Sequence, residues 1–386
     1  MAPISLAPQR IISVVTSILL FLPAWLLPGN KATAISQPVQ NQPAHPFYDI
    51  QAMDVDPITK QMWIGTSTHG VIHLDLVSGT YESFTSADGL PEDNVTAVTV
   101  DQAPYVWFGT YESGLARYNP LNDTWSTITD AGSTALLSDR IHALTVDPDG
   151  DLWVGTDTGA SLLPASGWLG GGYTFFGWHD CSPAGPACRS LWSYTVGDIA
   201  FAPDGDGWFA IDLQIIGIYP KPGGVAQRDR QNGSAWNTWD MSQGLPTNQA
   251  WDIAVDQQGN VWAGTLNGLA RYDQADQWTG YPTASSPLIT DRIEDLEFDS
   301  HDTLWVATFQ GVHRITAQGD WDTLTITDGL PSNRVSAVKT FADTVCFGTD
   351  IGIGCLDQAS GLWQYFGDRA DPTYPIYLPL LVTNLE

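Results

Sequence analysis

Leu152-Trp153-Val154-Gly155-Thr156 is the stretch on which the fold turns. The same phrase returns as Trp63-Ile64-Gly65-Thr66, Trp107-Phe108-Gly109-Thr110 and Trp262-Ala263-Gly264-Thr265. Weaker copies run from Trp208 to Ile211, Trp305 to Thr308 and Cys346 to Thr349. Their anchors are 41 to 55 residues apart, which suits propeller blades and is too long for leucine-rich repeats.

Each unit reads as four short strands. In the third copy, Ile141 to Asp147 reads as the first, and Pro148-Asp149-Gly150-Asp151 supplies a turn that tolerates positive φ. Leu152 to Thr156 is the second strand. The third opens at Gly159, and elsewhere reads Gly114 to Tyr118 and Gly268 to Tyr272. The fourth carries an aromatic: Trp125, Trp278, Trp321 or Trp363. Linkers such as Asp88–Asn94, Gln243–Asn248 and Asp328–Asn333 lead to the next unit. One such sheet cannot bury two apolar faces alone, whereas seven arranged radially cover one another. The expected fold is all-β, a seven-bladed β-propeller of four-stranded antiparallel blades over residues 48–366. Trp63, Trp107, Trp153, Trp208, Trp262 and Trp305 would lie between blades, each burying about 150–250 Å². The strand-four aromatics belong to the same core.

Composition narrows the function. The 386 residues carry 43 acidic and 15 basic side chains, a net charge of −28, which repels polyphosphate and excludes nucleic acid as a partner. With 43% hydrophobic residues and 17 Trp, disorder is excluded too. Arg10, an apolar run, and Ala32-Thr33-Ala34 make residues 1–34 read as a signal peptide, with an uncleaved anchor as the alternative. Residues 35–47 are then a linker. No later segment has the roughly 20 apolar residues of a membrane span. The expectation is a secreted, extracytoplasmic monomer. In an oxidising compartment Cys181/Cys188 and Cys346/Cys355 read as two short-loop disulfides. Neither pair has the spacing of a zinc knuckle, so no metal and no cofactor is expected. The tail, 367–386, is apolar and broken by prolines; it is either an edge strand closing the ring or an export or attachment signal.

These residues resemble the two-component regulator propeller repeat, whose pattern is an Asp-Gly-Leu-Pro-x-Asn linker, Trp-x-Gly-Thr and then Gly-Leu-x-Arg-Tyr-Asp. Asp328 to Val335 and Asn260 to Asp273 carry it most fully. The resemblance implies an extracellular propeller of the kind found ahead of a membrane helix and a histidine kinase, some members sensing polysaccharide fragments. After the seventh copy about 20 residues remain, with no kinase or regulator domain, so a recognition module without its own signalling part is expected.

One residue ahead of each first strand falls near the mouth of the central channel, and in three copies it is Arg140, Arg292 or Arg334. A guanidinium fork suits a carboxylate, which points to an acidic sugar or another anionic ligand. The alternative is local pairing of Arg140 with Asp139 and Arg292 with Asp291, with Arg334 packing its loop. Trp168, Trp178, Trp192 and Trp251 have no place in the repeat core. Trp192 and Trp251 offer flat faces to a sugar ring, or else pack the insertion around Cys181 and Cys188. Asp147, Asp149, Asp151, Asp204 and Asp206 read as turn residues, with Ca²⁺ ligation as the alternative. No catalytic constellation emerges. His142 and Glu294 are the nearest to an acid–base pair. Three readings follow: a non-enzymatic propeller binding a glycan or small anionic ligand; a secreted lyase or hydrolase acting on a glycan; and a scaffold for proteins, such as a membrane-bound signalling partner.

Overall fold

Seven consecutive stretches of the chain each form a four-stranded antiparallel sheet, and the sheets stand radially as the blades of a propeller. The computed structural model describes residues 46–101, 105–131, 136–165, 174–177, 195–212, 215–216, 219–220, 223–231, 235–273 and 277–367. The inner strands are Ile50–Asp56, Val95–Val100, Ile141–Val146, Thr195–Phe201, Ala250–Val255, Asp295–Phe298 and Val335–Phe341. Each touches the inner strands of its two neighbours, and the seventh touches the first. Strand order within every blade follows chain order, so among the described residues the ring closes without exchanging a strand. The expected signal peptide, the Cys181/Cys188 loop with Trp168, Trp178 and Trp192, and the tail from 368 lie outside the described residues.

The repeated Trp-x-Gly-Thr phrase has a packing reason at each position. Trp63, Trp107, Trp153, Trp208, Trp262 and Trp305 are all buried. Each indole faces the following blade: Trp153 meets Phe209 edge-on with centroids 5.4 Å apart, and Trp305 meets Phe347 at 5.5 Å. Phe209 and Phe347 are the x residues of their own copies, because neighbouring residues of a strand point to opposite faces. The glycine allows the closest approach. A Cβ on Gly109 would lie 2.4 Å from Ile141 Cγ2, and one on Gly155 would lie 2.8 Å from the Val196 carbonyl oxygen. The threonine closes the turn to the third strand. Thr110 Oγ1 donates to the Gly114 carbonyl at 2.7 Å and accepts from Ser113 N at 3.1 Å. Thr156, Thr265, Thr308 and Thr349 repeat this donation to Gly159, Gly268, Gly311 and Gly352.

The linkers serve the same seams. Leu90, Leu245 and Leu330 are buried. Gly329, at φ +118°, lies so close to the next blade's Trp363 that a Cβ would stand 2.5 Å from its Nε1. The strand-four aromatics are therefore seam-edge residues: Trp278 is buried, while Trp125, Trp321 and Trp363 are half-buried. In the turns Asp147 accepts from Asp149 N, Asp151 N and Trp153 Nε1, which commits its carboxylate to the fold. Among the described residues no group of three or more His, Cys, Asp or Glu side chains is arranged to hold a metal ion.

The seam between the seventh blade and the first differs from the rest. Cys346 occupies the Trp position and is bonded to Cys355 directly across the sheet, with Cα atoms 4.0 Å apart. The pair is buried with Met62, Ile64, Ile72 and Phe366. Phe47, the last residue of the expected linker, is buried in that cluster as well. Ser336 donates to the Ile50 carbonyl, and Gln364 Nε2 donates to the Leu76 carbonyl at 2.9 Å.

Three outcomes test this packing. Gly109→Ala should cost about 1–3 kcal/mol in urea unfolding, because the inserted methyl overpacks the seam. The converse change at an equivalent site, Ala307→Gly, should cost about 0.5–1 kcal/mol, the ordinary penalty for a strand glycine. Cys346→Ala/Cys355→Ala should lose about 2–3 kcal/mol, by the loop-entropy account of a short disulfide loop.

Candidate functional site

Antiparallel order places the turns between second and third strands, and the links between blades, on one face. There the inner strands open into a cavity of about 800 Å³ lined by Gln51, Thr96, His142, Trp251, Glu294 and Ser336, among others. These six hold the same position in their blades, one residue before the partner of the Trp-x-Gly-Thr glycine or of the alanine that replaces it. Below the cavity runs a narrower channel of about 430 Å³ between the inner strands. A small ribbon, Ile215–Ile216 with Tyr219–Pro220, extends the fourth blade between its second and third long strands.

The three arginines part company. Arg292, Arg334 and Phe309 all line the mouth. The Arg292 Cζ stands 5.2 Å from the Phe309 ring centroid and the Arg334 Cζ 4.5 Å, a double cation–π arrangement. Arg292 Nε lies 2.6 Å from Glu294 Oε1, and its Nη2 donates to Oε2 at 3.4 Å. Arg334 Nε meets Asp350 Oδ2 at 3.5 Å. Both side chains remain about 60% exposed, at 62% and 59%, so their outer donors reach solvent. Arg140 is not in the lining of the mouth. Its Nη2 pairs with Glu112 at 3.2 Å, its Nη1 with Asp157 at 3.5 Å, and its Cζ sits 4.3 Å above the Tyr111 ring.

The local pairing considered for these arginines does not occur. Asp139 Oδ1 accepts from Asp130 N at 2.7 Å, and Asp291 Oδ1 accepts from Thr283 N at 2.7 Å. These aspartates cap the loop that precedes their blade. The same position in the first and sixth links is taken by Asp93 and Asn333, which cap Ser86 N and Ile326 N. The arginine is left to turn outward to other carboxylates.

His142 and Glu294 are not a pair either. They belong to the third and sixth blades, and each has its own partner. His142 Nε2 bonds Asp157 Oδ1 at 2.5 Å. Glu294 sits beneath Arg292; burial pushes its carboxyl up, and the Arg292 and Arg334 charges oppose that shift. Trp251 lines the mouth and is 36% exposed, and no Phe, Tyr or other Trp shares its ring position. Phe309, Asp350 and Asp157 were not singled out from the sequence. All three lie in turns after Trp-x-Gly-Thr or its variant, whose length and composition vary from copy to copy.

The two-component regulator propeller family model matches residues 135–158 and 244–267. Each match runs from a linker, through an inner strand, to the turn after the second strand. The chain carries two-component regulator propeller repeats. No curated protein sequence matches it. The solved virginiamycin B lyase of Staphylococcus aureus is 13% identical, aligns 79% of this chain with 93% of its own, and gives a TM-score of 0.60. PorZ, a surface component of the type-IX secretion system of Porphyromonas gingivalis, is 16% identical over 87% of this chain and 48% of its own, with a TM-score of 0.59. The extracellular domain assigned to a hybrid two component system of B. thetaiotaomicron is 15% identical over 82% of this chain and 57% of its own, with a TM-score of 0.41. At these identities the first two share the propeller fold with this regulator-type propeller, and the likeness ends there.

Proposed function

We propose that this regulator-type propeller is a non-catalytic, extracytoplasmic receptor for an anionic ligand, and that its site is the mouth between Trp251, Arg292, Phe309 and Arg334. The observation that carries the reading is the Arg292–Phe309–Arg334 stack. Two guanidinium groups rest against one ring at the lining of a cavity of ligand size. A carboxylate seated there gains charge-assisted hydrogen bonds that a neutral group does not. The exposed Trp251 face supports a ring-shaped ligand, and the combination suits a uronic-acid sugar. Arg140 is a bystander in this reading, committed to Glu112, Asp157 and Tyr111. Two features support an extracytoplasmic setting: the leader-like first 34 residues and the Cys346–Cys355 bond. No helix among the described residues is long and apolar enough to cross a membrane. A membrane-bound signalling protein is the partner such a receptor would inform.

One observation favours a second reading. His142 and Asp157 form a largely buried imidazole–carboxylate couple, with His142 at the mouth, an arrangement suited to a general base in a lyase or hydrolase.

Calorimetric titration with a galacturonate oligosaccharide and its neutral galactose counterpart tests both. Arg292→Ala/Arg334→Ala should weaken the acidic ligand by at least about tenfold, the loss expected for one charged hydrogen bond or more, and leave the neutral one unchanged. Arg140→Ala should stay within about twofold of the parent. Binding should tighten as the pH falls through the raised Glu294 pKa, since the neutral acid releases Arg292. Glu294→Gln should bind a few-fold more tightly and lose that dependence. Equal binding by the double arginine variant would sink the receptor site. Turnover of the oligosaccharide that His142→Ala abolishes would replace it with the catalytic reading.

A further inference from the structure

Each inner strand places one residue opposite the glycine of Trp-x-Gly-Thr, or opposite the alanine that replaces it. In four blades that residue is Ala52, Ala97, Ala143 or Ala337. In the fourth, fifth and sixth blades it is Asp198, Asp252 and Asp295. Three carboxyl groups thus stand side by side on one wall of the channel. Asp252, the middle one, is 5% exposed and within hydrogen-bond reach of both neighbours. Backbone amides satisfy part of the row. Ile253 N donates to Asp252 Oδ1 at 2.7 Å and to Asp198 Oδ2 at 3.2 Å, and Leu296 N donates to Asp295 Oδ1 at 3.0 Å. Val338 N, from the seventh blade, donates to Asp295 Oδ2 at 2.5 Å. Asp252 Oδ2 has no donor at all, although it is buried.

A buried carboxylate oxygen facing other carboxylates needs a positive partner. The channel's own ammonium is spent elsewhere. Lys339 Nζ lies 3.3 Å from both Asp54 and Glu297, one step further along the strands, and joins the seventh blade to the first and sixth. The other titratable groups facing the channel are His142, on the third blade and tied to Asp157, and Glu294 and Glu297, which flank Asp295. Neither glutamate supplies positive charge. Among the described residues no group of three or more His, Cys, Asp or Glu side chains is arranged to hold a metal ion. A hydrogen ion is the partner that three converging carboxyls can share.

We infer that the Asp198–Asp252–Asp295 row binds a shared proton, and that its loss forces the inner strands of these three blades apart beneath Trp251 and Glu294. Burial and the neighbouring carboxylates act in that sense: they hold Asp252 well above the ordinary carboxylate range and push Asp295 up to about 7. Asp252 and Asp295 therefore bind protons more tightly in the folded chain than in the unfolded one. The contribution of Asp295 to stability is full in acid and is lost as the pH rises through about 7, and that of Asp252 is lost in the same direction. The row gives the mouth a pH-sensitive floor, whatever ligand the mouth takes.

Thermal unfolding of the parent protein and Asp252→Asn at about pH 5 and about pH 8.5 tests this inference. The asparagine keeps the acceptor for Ile253 N and donates from Nδ2 to both neighbours, so it imitates the protonated row. The parent should lose Tm on the alkaline side, on the order of 3 °C or more, and Asp252→Asn should lose at most half as much. In the infrared spectrum the parent should show a protonated buried carboxyl stretch at about pH 6 that disappears on alkalinisation. Absence of that band, or equal alkaline losses in the two proteins, overturns the inference. So does recovery of the parent's alkaline Tm by millimolar Ca²⁺ or Mg²⁺ that Asp252→Asn does not share, which would make the row a cation site.

Discussion

The spacing between blades rests on one steric fact: a second-strand glycine lies against the inner strand of the next blade with no room for a Cβ. At Gly65, Gly109, Gly264 and Gly348 an added Cβ would meet Val95, Ile141, Ile293 and Ile50 at 2.4–2.8 Å. Everything else in the seam is built around that approach. The flanking Trp turns one way to fill the groove against the following blade, and the x residue turns the other way to receive the indole before it. The Thr closes the turn, so the strand ends where the neighbour's link begins. Interiors packed at crystal-like density transmit such a constraint faithfully. Five blades carry this glycine and the fourth and sixth an alanine, Ala210 and Ala307; together they close the ring, and the last seam substitutes a disulfide for an indole.

A ring made this way brings equivalent residues of seven sheets to one circle. The function of the molecule then lies in where the copies differ. The mouth circle carries Gln, Thr, His, Gly, Trp, Glu and Ser in turn, and the circle just below it is alanine except for three consecutive aspartates. Trp251, Arg292, Glu294, Phe309 and Arg334 gather on the fifth to seventh blades, overlapping that acidic arc on the fifth and sixth. Arg140 and His142 sit on the third blade with Asp157. A propeller repeat thus supplies identical seams and a differentiated centre, with no change in the scaffold between one and the other.

Much of this was legible in the sequence because the seams repeat. Trp-x-Gly-Thr with its variants, the turn Asp and the Gly-Leu-Pro links each answer a packing requirement met in several blades, so their period exposes the architecture. The site does not repeat, and its legibility was uneven. Arg140, Arg292 and Arg334 stand out at a ring position that can be counted from the linkers, and Trp251 because it has no place in the repeat core. Phe309 and Asp350 do not, since they lie in turns whose side-chain directions depend on the folded loop. The pairing of Arg140 was misjudged for a related reason: Asp139 is next to it in the chain, but capping the preceding loop uses up that carboxylate. The aspartate row was readable from the aligned inner strands, though only with the bulge that sets their register.

The most direct measurement of the account is a crystal structure of the protein soaked with a galacturonate oligosaccharide. The account places a sugar carboxylate between the Arg292 and Arg334 guanidinium groups beside Phe309, with a ring against Trp251. Density for the sugar on the opposite face, or at the His142–Asp157 couple with the two arginines untouched, would contradict it.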